Sequence, residues 1–325
     1  MRILKSISYV AIPLILLIVS GALCYIFYPP PERPKNIGVL FYQNTPTAAS
    51  FLKGFTNGLS KQGYYSGQNL KLFVENLEAP TQTIAEVLKK IEKRPVDLFI
   101  TTGKDLTITV AHETSKIPII YALVSRPIRE ETIKNVIDQE DFVTGVSYYT
   151  PYDRTLDLCK RVIPGFHKLT ILLPQDSAWV DLDRLKVAAT DLGIQLTLED
   201  PALSNLAATI HKLRGQTDAI YLPNDIGLIR QTEVIKKALL EARLPAISNN
   251  MEFQTCSVLT YFAEPETVGE IASRMAVKIF NRVKMKEMPV ELSSYFKLTI
   301  NYGMLKELNL SINEDILSYA NEVME

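Results

Sequence analysis

Six polar clusters stand at comparable places along the chain, each directly after an apolar run: Gln43-Asn44-Thr45, Thr101-Thr102-Gly103-Lys104-Asp105, Ser125-Arg126-Pro127, Gln175-Asp176-Ser177, Asn224-Asp225 and Asn249-Asn250. Small hydroxyl and amide groups at such junctions, together with the free N–H groups of a helix that starts there, present donors to a bound anion or carboxylate. The same residue types are the ordinary caps of helices, so any single one is explained as well by capping alone as by ligand contact. It is the recurrence of the set that points to a small-molecule site. Trp179, the only tryptophan, closely follows Asp176-Ser177, and Tyr42, Tyr148 and Tyr149 also fall at or near the ends of apolar runs, where a ring or methylene chain can be sandwiched. The competing reading of Trp179 is a helix-surface anchor packed on its own lobe.

Catalytic patterns are missing from these places. Tyr42 to Thr47 contains no glycine, so the first apolar run is not followed by a dinucleotide-type phosphate loop. There is no G-x-S-x-G elbow and no P-loop lysine after a glycine-rich turn. His112, His167 and His211 are isolated and lack metal-site spacing, His112 and His211 reading as helix-surface residues. No acidic pair has a separation that makes a catalytic dyad. The residues call for binding rather than turnover, with no cofactor or metal.

The elements that position the clusters come in two copies. Ile37 to Phe41, a helical stretch ending in Leu59 to Gly63, and Leu70 to Val74 are echoed roughly 130 residues later by Leu169 to Leu173, Ala188 to Gly193 and Gln195 to Leu198. Val96 to Thr102 and Ile117 to Tyr121 are answered by Thr217 to Leu222 and Leu244 to Ser248. Each apolar run is short and rich in β-branched residues, and each alternates with helical periodicity. That is the pattern of a parallel sheet covered on both faces. The expected class is α/β, with two Rossmann-like lobes. Ligands of open parallel sheets sit beyond the carboxyl ends of the strands, where all six clusters fall.

Arg2 and Lys5 precede an uncharged run from Ile7 to Tyr28, followed by the stiff Pro29 to Lys35. The run is close to the roughly 20 residues that span a bilayer as a helix. Positive charge on its short amino-terminal side places the folded part on the periplasmic side of the cytoplasmic membrane. Retention as an anchor, cleavage as a signal peptide and lipidation at Cys24 are the three readings of this segment. The expected division is 1–28 as anchor or signal, 29–35 as linker, 36–146 with 258–288 as the first lobe, and 147–257 with 289–325 as the second. A net charge of −1 gives no footprint for nucleic acid. Cys159 and Cys256 could pair in an oxidising compartment, but they fall in different segments, and two free buried thiols are the expected state.

Several stretches together resemble one family: Gly54-Phe-Thr-Asn-Gly-Leu-Ser-Lys-Gln-Gly-Tyr64 with Gly67-Gln-Asn69, Arg94-Pro-Val-Asp-Leu98, Ile117-Pro-Ile119, Val143-Thr-Gly-Val146, Val162-Ile-Pro164, Thr217 to Asp225 and Leu244-Pro-Ala-Ile247. In order and spacing they are similar to the ABC-transporter substrate-binding proteins that include tryptophan- and tyrosine-binding members, with a periplasmic-binding-protein-like fold of type I. The resemblance runs from about Asn36 to Leu310. It implies two lobes that close over a small ligand, an amino acid or related molecule, and deliver it to an ABC permease with a cytoplasmic ATPase. It carries ligand contacts onto Gln43, Asn44, Thr101, Thr102, Ser125, Asp176, Ser177, Asn224, Asp225 and Asn249. The chain departs from the family at Arg126-Pro127, where Asp-Pro is usual, and at Gly103-Lys104-Asp105. A guanidinium in place of a carboxylate favours a more anionic ligand; the alternative is that Arg126 meets solvent or a neighbour such as Glu130. Two other functions fit the same architecture: a tethered sensory or scaffold protein, and, less well, an enzyme.

Overall fold

The runs of β-branched and aliphatic residues form strands, and the amphipathic stretches between them form the helices that cover those strands. The computed structural model describes residues 33–41, 45–77, 84–92, 95–114, 117–126, 142–174 and 180–325. The uncharged run, Cys24 and most of the proline linker lie outside these, as do Gln43, Asn44, Asp176, Ser177 and Trp179. Among the described residues no helix is long and apolar enough to cross a membrane.

The first half runs β1 (Lys35–Phe41), α1 (Pro46–Lys61), β2 (Leu70–Asn76), α2 (Ile84–Glu92), β3 (Leu98–Thr102), α3 (Lys104–Glu113), β4 (Ile119–Arg126) and β5 (Val143–Tyr149). The second repeats the scheme: α4 (Tyr152–Val162), β6 (Lys168–Leu172), α5 (Leu182–Asp191), β7 (Gln195–Glu199), α6 (Leu206–Lys212), β8 (Ala219–Leu222), α7 (Ile226–Ile229), α8 (Thr232–Ala242), β9 (Ala246–Ser248) and β10 (Leu259–Ala263). The chain ends with α9 (Pro265–Phe280), β11 (Glu291–Leu292), β12 (Phe296–Asn301), α10 (Tyr302–Glu307), α11 (Glu314–Tyr319) and β13 (Glu322–Met324).

Two sheets result, ordered β2-β1-β3-β4-β5-β11 and β7-β6-β8-β9-β10-β12-β13. The repeat read in the sequence is thus a repeat of topology, with matching order over five strands of each sheet. Pairing is parallel except where β12 runs antiparallel to β10, Thr260 facing Thr299. A strand entering directly from the other lobe needs no crossover helix, which allows the reversal. Central strands such as β8 are buried along their whole length, whereas β7, at the sheet edge, has only exposed and half-buried residues.

Each sheet is covered twice. In the first lobe α1 and α9 bury Phe51, Phe55, Val268 and Met275 on one face, and α2 and α3 bury Leu88, Ile91, Leu106 and Val110 on the other. In the second, Leu156, Leu185 and Met304 cover one face and Ile210, Ile235 and Leu239 the other. Helices α1 and α9 approach until their backbones touch. A Cβ on Gly54 would lie 1.9 Å from the Glu266 carbonyl oxygen, and one on Gly269 would lie 2.2 Å from that of Phe51.

Sheet membership moves the expected crossings between lobes. Leu259–Ala263 belongs to the second sheet and α9 packs on the first lobe, so this crossing is at Glu264 and not before Leu259. Glu291–Leu292 pairs with β5, so the first lobe keeps these residues and the next crossing spans Ser293 to Tyr295. The apolar character of Leu259 to Ala263 says strand but not whose sheet. Cys159 and Cys256 are both free and buried.

Candidate functional site

The carboxyl ends of the two sheets face a common cavity of about 1100 Å³. The first lobe lines it with Thr45, Thr47, Thr102 to Asp105, Leu123 and Tyr148, and the second with Asp200 to Ser204, Asn224 to Gly227, Arg230, Asn249 to Glu252 and Phe262. Its described wall carries Lys104 and Arg230 against Asp105, Asp200, Asp225 and Glu252, an excess of carboxylates.

Four helices begin at this cavity, α1, α3, α7 and α9, the last with Pro265 in the lining and no side-chain cap from Glu264; the first three differ in their N-termini. Thr45 caps α1 by accepting from the Ala48 N–H at 3.2 Å. Asp225 caps α7 by accepting from the Leu228 N–H at 3.0 Å. Helix α3 starts after Gly103, whose φ of 82° is left-handed and which supplies no side-chain cap. Its first residues, Lys104 and Asp105, line the cavity, and the Lys104 ammonium stands 3.2 Å from the Asp105 carboxylate.

The sequence-predicted residues separate into distinct sets. Thr102, Asn224, Asp225 and Asn249 line the cavity. Thr101 does not: it is fully buried and bonded to Thr107 at 2.8 Å, because neighbours in a strand point to opposite faces. Ser125 and Arg126 end β4 in register with Tyr148 and Tyr149, and Ser125 is outside the lining set. Gln43, Asn44, Asp176, Ser177 and Trp179 lie outside the described residues. Asn249 lines the cavity while both ends of its amide serve its own lobe. Its Oδ1 accepts from the Tyr221 hydroxyl at 3.0 Å, and its Nδ2 donates to Thr155 Oγ1 at 2.7 Å and to the Tyr261 carbonyl. Burial pushes the Tyr221 hydroxyl upward from its ordinary pKa, which favours its role as a donor to Asn249.

Other lining residues escaped the sequence reading. Asp200, Leu203 and Ser204 follow β7, whose strand-end loop was legible but yielded no cluster. Leu203 and Ile226 present exposed apolar side chains to the cavity. Gly227 lets Leu203 lie close, since a Cβ there would be 2.5 Å from a Leu203 methyl. Leu123 sits where the pairing of β4 with β5 shifts register and has φ 58°. A left-handed leucine at a bulge is a strained device that re-aims the strand end.

The chain matches the model of the ABC transporter substrate binding protein family over residues 36–324. It belongs to that family. The family's members bind small solutes outside the cytoplasm for ABC transporters, and binding rather than turnover is their normal role. A relative named tyrosine-binding protein, from Clostridioides difficile (strain R20291), is 23% identical over 293 residues, covering 89% of this chain and 85% of its own length. The fold matches that of an ABC domain from Streptococcus pneumoniae solved with L-Trp, with a TM-score of 0.78 at 23% identity, over 90% of this chain and 100% of that one. It also matches a ligand-free, open substrate binding protein with adhesive properties from Clostridium difficile, with a TM-score of 0.69 at 22% identity, over 89% of this chain and 99% of that one. The substrate-binding role follows from family membership.

Proposed function

We propose that the cavity captures an amino acid or closely related zwitterion and that the loaded protein presents it to an ABC permease with a cytoplasmic ATPase, with no chemical step. The carrying observation is the interlobe cavity itself, in which an uncapped helix N-terminus with Lys104, an acidic wall and the apolar pair Leu203 and Ile226 stand together. The uncapped N-terminus and the guanidinium of Arg126 suit a carboxylate, the acidic wall suits an ammonium, and the apolar pair suits a side chain. Gln43, Asn44, Asp176, Ser177 and Trp179 complete the proposed contacts, since the nearby Thr45 and Pro174 line the cavity. The names of the two ligand-defined relatives, one tyrosine-binding and one holding L-Trp, support the ligand class. For the N-terminal segment we propose an uncleaved anchor, supported by the uncharged run Ile7 to Tyr28 behind Arg2 and Lys5.

Contacts to both lobes stabilise the closed state, and only that differential affinity shifts the population. A micromolar dissociation constant corresponds to about −8 kcal/mol. The test is calorimetry and thermal shift on the full-length chain in detergent with L-tyrosine, L-tryptophan, the other amino acids and dicarboxylates. A ligand at 100 times its Kd raises stability by about 2.7 kcal/mol. Asn224→Ala should weaken the hit about ten-fold, the cost of a hydrogen bond to a charged group. A folded protein that binds nothing in the panel overturns the proposal.

A further inference from the structure

Helix α1 begins at the mouth of the cleft, and its first turn is served from both lobes. Thr45, on its own lobe, accepts from the Ala48 N–H. The Thr47 N–H instead donates to Glu252 Oε1 at 2.9 Å, across the cleft. Glu252 belongs to the 3₁₀ turn Met251–Phe253 that follows β9 in the second lobe. Its place is set by a relay of side chains. Asn250 Oδ1 accepts from the Glu252 N–H at 3.0 Å, and Asn250 Nδ2 donates to Asn224 Oδ1 at 2.9 Å. The Asn250 N–H donates to Ser248 Oγ at 3.0 Å, and that hydroxyl donates to the Leu222 carbonyl at 2.7 Å. The turn is thereby tied to the ends of β8 and β9.

A carboxylate on a helix N-terminus gains both a charge-assisted hydrogen bond and the favourable end of the helix dipole. Helix α1 cannot yield this contact by bending alone, because Gly54, Gly58 and Gly269 seat it directly on α9. Pulling its N-terminus pulls the first lobe. The bond joins elements of opposite lobes, so it is made only when they are together.

We infer that Glu252 is a clasp between the lobes: its carboxylate on the first turn of α1 stabilises the arrangement in which they are together, independently of any group bound in the cavity. The clasp stands on the geometry alone.

The test is single-molecule energy transfer on the ligand-free, full-length chain in detergent. Dyes are placed through Lys71→Cys on the outer strand of the first lobe and Lys237→Cys on the second, in a Cys24→Ser background; Cys159 and Cys256 are buried and stay unlabelled. The wild-type cleft is expected to be mainly closed. Glu252→Ala should lower the ratio of closed to open by about five-fold, the typical worth of a helix N-terminal acceptor. Glu252→Gln should fall between, and Glu252→Lys should open the cleft further, with melting temperature and circular dichroism close to wild type. Identical distributions for wild type and Glu252→Lys, or a wild type already open, overturn the clasp. Because no ligand is present, the result is independent of the ligand panel: a failed clasp leaves the solute-binding reading standing, and a silent panel leaves the clasp standing.

Discussion

Asn249 illustrates how a residue at the right place can do a different task from the one its place suggests. Its amide holds Tyr221, Thr155 and Tyr261 together beneath the cavity floor. Asn249→Ala should therefore cost about 1 to 3 kcal/mol of stability by leaving buried polar groups unpaired, read from the urea midpoint, before any change in ligand affinity is interpretable. Thr101 and Thr102 teach the complementary point. Sequence places both at a strand end, but pleating turns only Thr102 to the cavity. Asn224 and Asp225 were found because they repeat the junctions of the first copy. Glu252 could not be found that way, because its partner is a backbone N–H 205 residues distant in the chain, and such a contact leaves no pattern of residue types.

Among elements, the contact of α1 with α9 is the one whose geometry is least forgiving. Gly54→Ala would push a methyl into the Glu266 carbonyl and should cost at least about 1 to 3 kcal/mol by overpacking, measured as a fall in the denaturation midpoint. Lys61→Ala, which removes only the exposed pair with Glu270, should cost a small fraction of that, since surface ion pairs contribute little. Strands and helices were legible because burial on both sheet faces imposes apolar runs and helical periodicity. The assignment of β10 and β11 to sheets was not. A short apolar run pairs equally well in either lobe until the helices on either side fix where it goes.

For the molecule as a whole, the buried acids set a limit at alkaline pH. Burial pushes Cys256 from 9.0 up to about 12 and Tyr152 from 10.0 up to about 12, and raises Cys159 and Tyr221 as well. Each of these acids ionises more readily when the chain is unfolded. Their contribution is complete below about pH 9 and is lost as pH rises from there toward 12, so urea midpoints should fall through that window and stay level below it. Iodoacetamide at pH 8 should leave Cys159 and Cys256 unmodified in the native protein and reach both in urea, as read by mass spectrometry. The crossings between lobes, after β5, at Glu264 and over Ser293 to Tyr295, have a consequence for the order of synthesis. The half of the chain made first lacks α9 and β11, which come from residues 265–280 and 291–292. The lobe that leaves the ribosome first is therefore completed only after most of the second, all but β12 to β13, has emerged. Until then, the apolar face of α1 that later meets α9 has no covering, and the nascent chain stays unlocked through most of its own translation.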